Sequence, residues 1–128
     1  MSDYRAPIQD MRFVMDELAD LPGIARLPGF EEATPDMADA ILEEAAKFTG
    51  EVLAPLNAVG DREGCRWQDG AVSTPPGWKE AYRQYCEGGW NGIACSPAFG
   101  GQGLPNALAV AVKEMVCSAS LSFSLGPL

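Results

Sequence analysis

The sequence contains no histidine. Without an imidazole it cannot build a Ser-His-Asp or Cys-His nucleophile, an HExxH zinc site or a histidine proton shuttle, and whole reaction classes are excluded at once. Cations are also scarce: 9 Lys and Arg stand against 18 Asp and Glu, for a formal net charge of −9. The cations are scattered, whereas binding to a nucleic-acid backbone needs clustered Lys and Arg that displace counterions. The sequence therefore predicts no nucleic acid partner and, by the same argument, no anionic membrane. No apolar run approaches the ~18 residues that span a bilayer. The opening MSDYRAPIQD has neither the basic nor the apolar region of an export signal, so a cytoplasmic location is expected. No CxxC pair exists among Cys65, Cys86, Cys95 and Cys117, which excludes a zinc knuckle and a thioredoxin-type motif. These thiols are expected to be reduced and mostly buried as small hydrophobes.

What is present suits a folded domain. With 128 residues, 47% hydrophobic and 21% charged, the chain has the size of one domain and the means to fill a core. After Pro7, the residues Ile8, Met11, Val14 or Met15, Leu18 and Leu21 recur at helical spacing, and Pro22-Gly23 is expected to stop that helix. A second helix has the strongest start signal: Thr34 as N-cap, Pro35 in the first turn and Asp36 at the positive end of the dipole. Its predicted buried face runs through Met37, Ile41, Ala45, Phe48, Val52 and Leu56, with Pro55 kinking or ending it. From Gly60 to Pro76 the helical period is lost, and Asp69-Gly70 predicts a small surface hairpin. A third helix runs from about Pro76 to Glu87, stopped by Gly88-Gly89, and a fourth starts near Asn106 with Leu108, Val112, Met115 and Ala119 on one face. The fold class is all-α: a helical bundle of three to five helices with long Gly/Pro-rich loops. Residues 1–33 form a leader helix and connector, and residues 34–128 the helical domain.

Three constellations invite a chemical reading. Gly100-Gly101-Gln102-Gly103 could cradle a phosphate ahead of a helix, but it fits neither a Rossmann nor a Walker loop, and a tight inter-helix turn explains it better. Carboxylate pairs such as Glu31/Glu32 and Glu43/Glu44 point about 100° apart on a helix, so they read as solvated faces; Glu114 is the carboxylate expected to be partly buried. Trp78, Tyr82 and Tyr85 share one helical stripe and are expected to pack in the core. Taken alone, the residues describe a helical domain without a self-contained active site.

Several motifs nevertheless fall in a specific order. PGWKEAYRQYCEGGWNGIACSPAFGGQGLP, from Pro76 to Pro105, resembles the helix and loops of the N-terminal helical domain of acyl-CoA dehydrogenases. YRAPIQDMRF, Tyr4 to Phe13, is similar to the leader of a large bacterial subgroup of that family, and EVLAPLNAVGDREG, Glu51 to Gly64, extends the resemblance over most of the chain. It implies a flavoenzyme in which a glutamate removes the α-proton of an acyl-CoA thioester while the β-hydride passes to FAD. In that family the FAD site and the base belong to a middle β-domain and a C-terminal helical domain. The chain is accordingly expected to be an N-terminal part, incomplete at its C-terminus, with no catalytic residue and no FAD site of its own, inactive alone and homo-oligomeric when complete. The resemblance assigns Ser120, Ser122, Phe123 and Gly126 to the wall of the acyl pocket. Ala98 departs from the family, which usually has an acidic residue before the aromatic residue and Gly-Gly. A reading from a different class is a non-catalytic helical binding module or small subunit that docks on a separate partner chain.

Overall fold

A computed structural model describes residues 4–127. Helix α1 (Ile8–Phe13) widens into a π-helical turn over Val14–Leu18. The turn shifts the register, so the buried residues are Met11, Met15 and Leu21, whereas Val14 and Leu18 are exposed. Pro22-Gly23, expected to stop a helix, instead lies inside a short one, α2 (Leu21–Ile24). Asp20 caps it in a left-handed conformation (φ 48°), its carboxylate accepting from the Gly23 N–H at 3.1 Å. An added Cβ on Gly23 would lie 2.1 Å from that carboxylate, so glycine is part of the cap.

Helix α3 (Pro35–Phe48) starts where the sequence predicts, with the Thr34 hydroxyl accepting from the Met37 N–H at 3.2 Å. Thr34→Ala removes the acceptor for that end donor and is expected to cost about 1 kcal/mol, read as a lower urea midpoint with an unchanged slope. Pro55 does not end the rod. A second π-helical turn, Thr49–Leu53, leads into α4 (Ala54–Glu63), and Pro55 falls in the first turn of α4, where its missing N–H is tolerated. The buried Thr49 hydroxyl donates to the carbonyls of Ala45 and Ala46 where the ladder changes register. The buried face is Ala38, Leu42, Ala45, Thr49 and Leu53, about one residue round from the predicted one. Ile41, Phe48, Val52 and Leu56 lie half-buried at its edge, and Met37 is exposed.

The Asp69-Gly70 hairpin forms as expected, β1 (Arg66–Gln68) antiparallel to β2 (Ala71–Ser73) with Trp67 opposite Val72, and it is exposed on both faces. Helix α5 (Trp78–Glu87) follows, then two 3-10 turns at Trp90–Gly92 and Pro97–Phe99. Helix α6 (Asn106–Ala119) buries Leu108, Ala111, Val112, Met115, Val116 and Ala119, and after a break at Ser120 comes α7 (Leu121–Ser124). The chain is all-α apart from the hairpin. Both α1 and α6 pack on α3, α7 packs on α4, and α6 is the most buried helix. Arg12 ties α1 to α3 through Asp39 and through Glu43 at 2.9 Å. Among the described residues no helix is long and apolar enough to cross a membrane.

Two expectations about burial fail. Cys65, Cys86 and Cys95 are exposed and Cys117 is half-buried, because they lie beside the hairpin, on the outer side of α5, in the loop after it and on the flank of α6. Glu114 is exposed, since the buried stripe of α6 passes through Met115 and Val116 and leaves residue 114 outside.

Candidate functional site

The break at Ser120 determines the site. Ser120 is extended (φ −158°, ψ 93°), so α7 leaves α6 at an angle and swings Phe123 back against α5. There the Phe123 ring meets three aromatic rings, Trp78 at 5.9 Å, Tyr85 at 5.8 Å in an edge-on arrangement and Tyr82 at 6.5 Å. Such tilted geometries match the positive ring edge of one partner to the negative face of the other. Tyr85 is buried, and desolvation pushes its phenol above the usual range. Tyr82 is half-exposed, so the stripe expected in the core is divided between core and surface.

Beside Phe123 opens a cavity of about 290 Å³. Ser122, Phe123 and Gly126 line one wall, and Trp78, Lys79 and Tyr82 of α5 line the other, with Thr74 and Pro127 at the edges. Three of the four residues assigned from the sequence thus come together. Ser120 does not line the cavity: it is buried one turn behind, and among the described residues its hydroxyl has no hydrogen-bond partner. The Trp78 indole N–H is likewise buried without a partner. The five α5 and edge residues Thr74, Trp78, Lys79, Tyr82 and Pro127 were not anticipated as lining. The signal available was the four-residue step from Trp78 to Tyr82, which the core reading absorbed.

The glycine-rich loop is closed to anions. Ala98 donates to the Ser96 hydroxyl; Phe99 and Gly101 donate to the Ser96 carbonyl and Gly100 to that of Pro97. Gln102, Gly103 and Leu104 donate to the carbonyls of Gly92, Cys95 and Ile93 at 2.9 Å. The N–H groups of residues 98–104 are thereby spent inside the loop, so the glycines themselves offer no cradle for the pyrophosphate of a dinucleotide. Three of the carboxylates are committed to partners. Glu31 accepts from its own backbone and from the Gly29 N–H, Glu80 accepts from Arg83 and Gln84, and both are held below the usual carboxylate range by those bonds. Glu43 is exposed and paired with Arg12.

The amino-acid sequence is similar to those of known enzymes. The chain is 41% identical over 125 residues to 3-methylmercaptopropionyl-CoA dehydrogenase of Ruegeria pomeroyi, 98% of this chain and 21% of the relative. It is 31% identical over 91 residues to butyryl-CoA dehydrogenase of Syntrophomonas wolfei, 68% of this chain and 15% of the relative. It is 25% identical over 122 residues to a broad-specificity linear acyl-CoA dehydrogenase of Mycobacterium tuberculosis, 94% of this chain and 20% of the relative. No family model matches the chain. It spans about a fifth or less of the length of the curated relatives it matches. Over nearly its whole length the chain is therefore related to the acyl-CoA dehydrogenases, and it corresponds to one end of these enzymes.

Proposed function

We propose that the chain is the N-terminal helical part of an FAD-dependent acyl-CoA dehydrogenase and supplies a wall of the acyl pocket, with the glutamate base and the FAD site lying in other parts of the enzyme. One observation carries the reading: the cavity that gathers Ser122, Phe123 and Gly126 against Trp78 and Tyr82. It is concave and mainly apolar, with few polar groups among its lining, as in pockets that take an extended hydrocarbon chain. Each ligand methylene buried there contributes about 0.8 kcal/mol, so the room beside Phe123 translates into chain-length preference. Within this reading the α5 residues Trp78 and Tyr82 are acyl contacts alongside Ser122, Phe123 and Gly126. Ser120 is a positioning residue, because the break at its backbone is what turns Phe123 toward α5.

The test fills the cavity without disturbing the fold. An added Cβ at Gly126 would meet only the Phe123 carbonyl oxygen at 3.6 Å, an ordinary contact, and Gly126 is exposed. In the complete enzyme, Gly126→Phe is expected to lower kcat/KM for long-chain acyl-CoA thioesters by about tenfold relative to short ones, the equivalent of room for about two methylenes. An equal loss for all chain lengths, or none, would rule out the wall assignment.

A further inference from the structure

A second groove shares no residue with the Phe123 cavity. Because α1 and α6 both pack on α3 yet barely touch each other, an open channel of about 470 Å³ runs between them. Met11 and Met15 form its floor, and Val14 and Val110, both about half exposed, form its two rims. This is the geometry of a bundle with one helix position empty, where side chains at a, d and e spacing from a further helix would interdigitate with those of α1 and α6. The two walls run antiparallel: the Tyr4 carbonyl lies beside Gly50 just past the end of α3 and Arg12 pairs with Asp39 nearer its start, so α1 runs against α3, whereas Leu104, just before α6, lines a cleft with Met37 at the start of α3, so α6 runs with it. Asp10, in the first turn of α1, and Glu114 therefore line the same end of the groove, and no lysine or arginine lines it.

The geometry points to an amphipathic helix as the occupant of this groove, one that lays an apolar face on Met11, Met15, Val14 and Val110 and places a lysine or arginine between Asp10 and Glu114. Charge decides the occupant. A second copy of this acidic chain would bring carboxylates to carboxylates, and an anionic lipid surface would be repelled, whereas a basic helix end gains two charge partners. The lining stretch of α6 from Asn106 to Glu114 is about 12 Å long, which is room for two to three turns of a partner.

The experiment titrates the full chain with a labelled helical peptide of leucine and alanine ending in lysines, read by fluorescence anisotropy at physiological salt, beside the same peptide ending in glutamates. Saturable one-to-one binding of the lysine peptide alone is expected. Val110→Glu should weaken it at least about tenfold, while a remote charge change, Asp36→Lys, leaves it unchanged. Asp10→Lys combined with Glu114→Lys, both at exposed positions, should reverse the preference to the glutamate peptide. Equal binding of both peptides, a loss with Asp36→Lys as large as with Val110→Glu, or no saturable binding would overturn the proposal. So would a dimer in sedimentation that Val110→Glu dissolves, because that outcome assigns the groove to a second copy. None of these results touches the acyl-wall reading, which is measured at Gly126.

Discussion

Phe123→Ala should be the most damaging truncation in the molecule outside the long helices, costing about 4 kcal/mol of stability. The side chain is 5% exposed and is the common neighbour of Trp78, Tyr82 and Tyr85, with centroid distances from 5.8 to 6.5 Å. Truncation removes the transfer free energy of a benzyl group and leaves a void beside an existing cavity, so the site loses area without gaining contacts. It also removes three aromatic pairs, each worth about 0.5–1.5 kcal/mol beyond burial. A helix as short as α7 cannot hold itself. Once Phe123 no longer anchors it, the segment after Ser120 should detach from α5 while α3 and α6 stay packed. Thermal melts followed by far-UV circular dichroism should show Tm lower by roughly 10 °C or more. Phe123→Leu, which keeps most of the volume, should lose less than half as much. A Phe123→Ala variant that melts within a degree or two of the parent would mean that α7 is held by something other than this ring.

Much of the fold was legible, and what was missed depends on packing between elements and on backbone turns that residue types do not announce. Thr34-Pro35-Asp36, Asp69-Gly70, Gly88-Gly89 and the Leu108–Ala119 stripe are local signals, and each produced the expected structure. The misplaced faces of α1 and α3 both adjoin π-helical turns. In α1 a strict 3.6-residue count does not register the widened turn, so Leu18 was assigned to a core it does not reach, and of Val14 or Met15 only Met15 is buried; in α3 the face is offset by one residue from the first turn onward, and buried Thr49 was passed over as polar. Pro55 does not end the rod because it falls in the first turn of α4, where its missing donor is tolerated. The cavity at Phe123 was half visible. Its Ser122–Gly126 wall was legible only through family resemblance, and its α5 wall required knowing that Ser120 breaks the chain direction, a backbone angle that no residue type announces. The charge polarity of the α1–α6 groove likewise depends on two helices far apart in sequence running antiparallel.

Gly101→Ala is expected to cost about 3 kcal/mol, although it adds a single methyl group to a surface loop. The reason is steric. A Cβ at residue 101 would lie 2.2 Å from the Cys95 carbonyl oxygen, 2.4 Å from its carbon and 2.5 Å from its Cβ. The obstruction is mostly backbone, so no side-chain rotation relieves it. The backbone in question is also committed: the Cys95 carbonyl accepts from Gly103, and Gly92 accepts from Gln102, so displacing either strand of the loop breaks the bonds that close it. Gly100 provides the contrast. Its φ of +82° strains an L residue, but no heavy atom lies within 4 Å of its Cβ position, so Gly100→Ala should cost only about 1 kcal/mol. Urea titrations of the two variants separate the explanations for this glycine-rich stretch. If the glycines serve loop closure, the damage falls on the ligand-free chain and is larger at 101 than at 100. A Gly101→Ala chain as stable as the parent would show that the loop is not closed in this way, and its N–H groups would again be available to an anion.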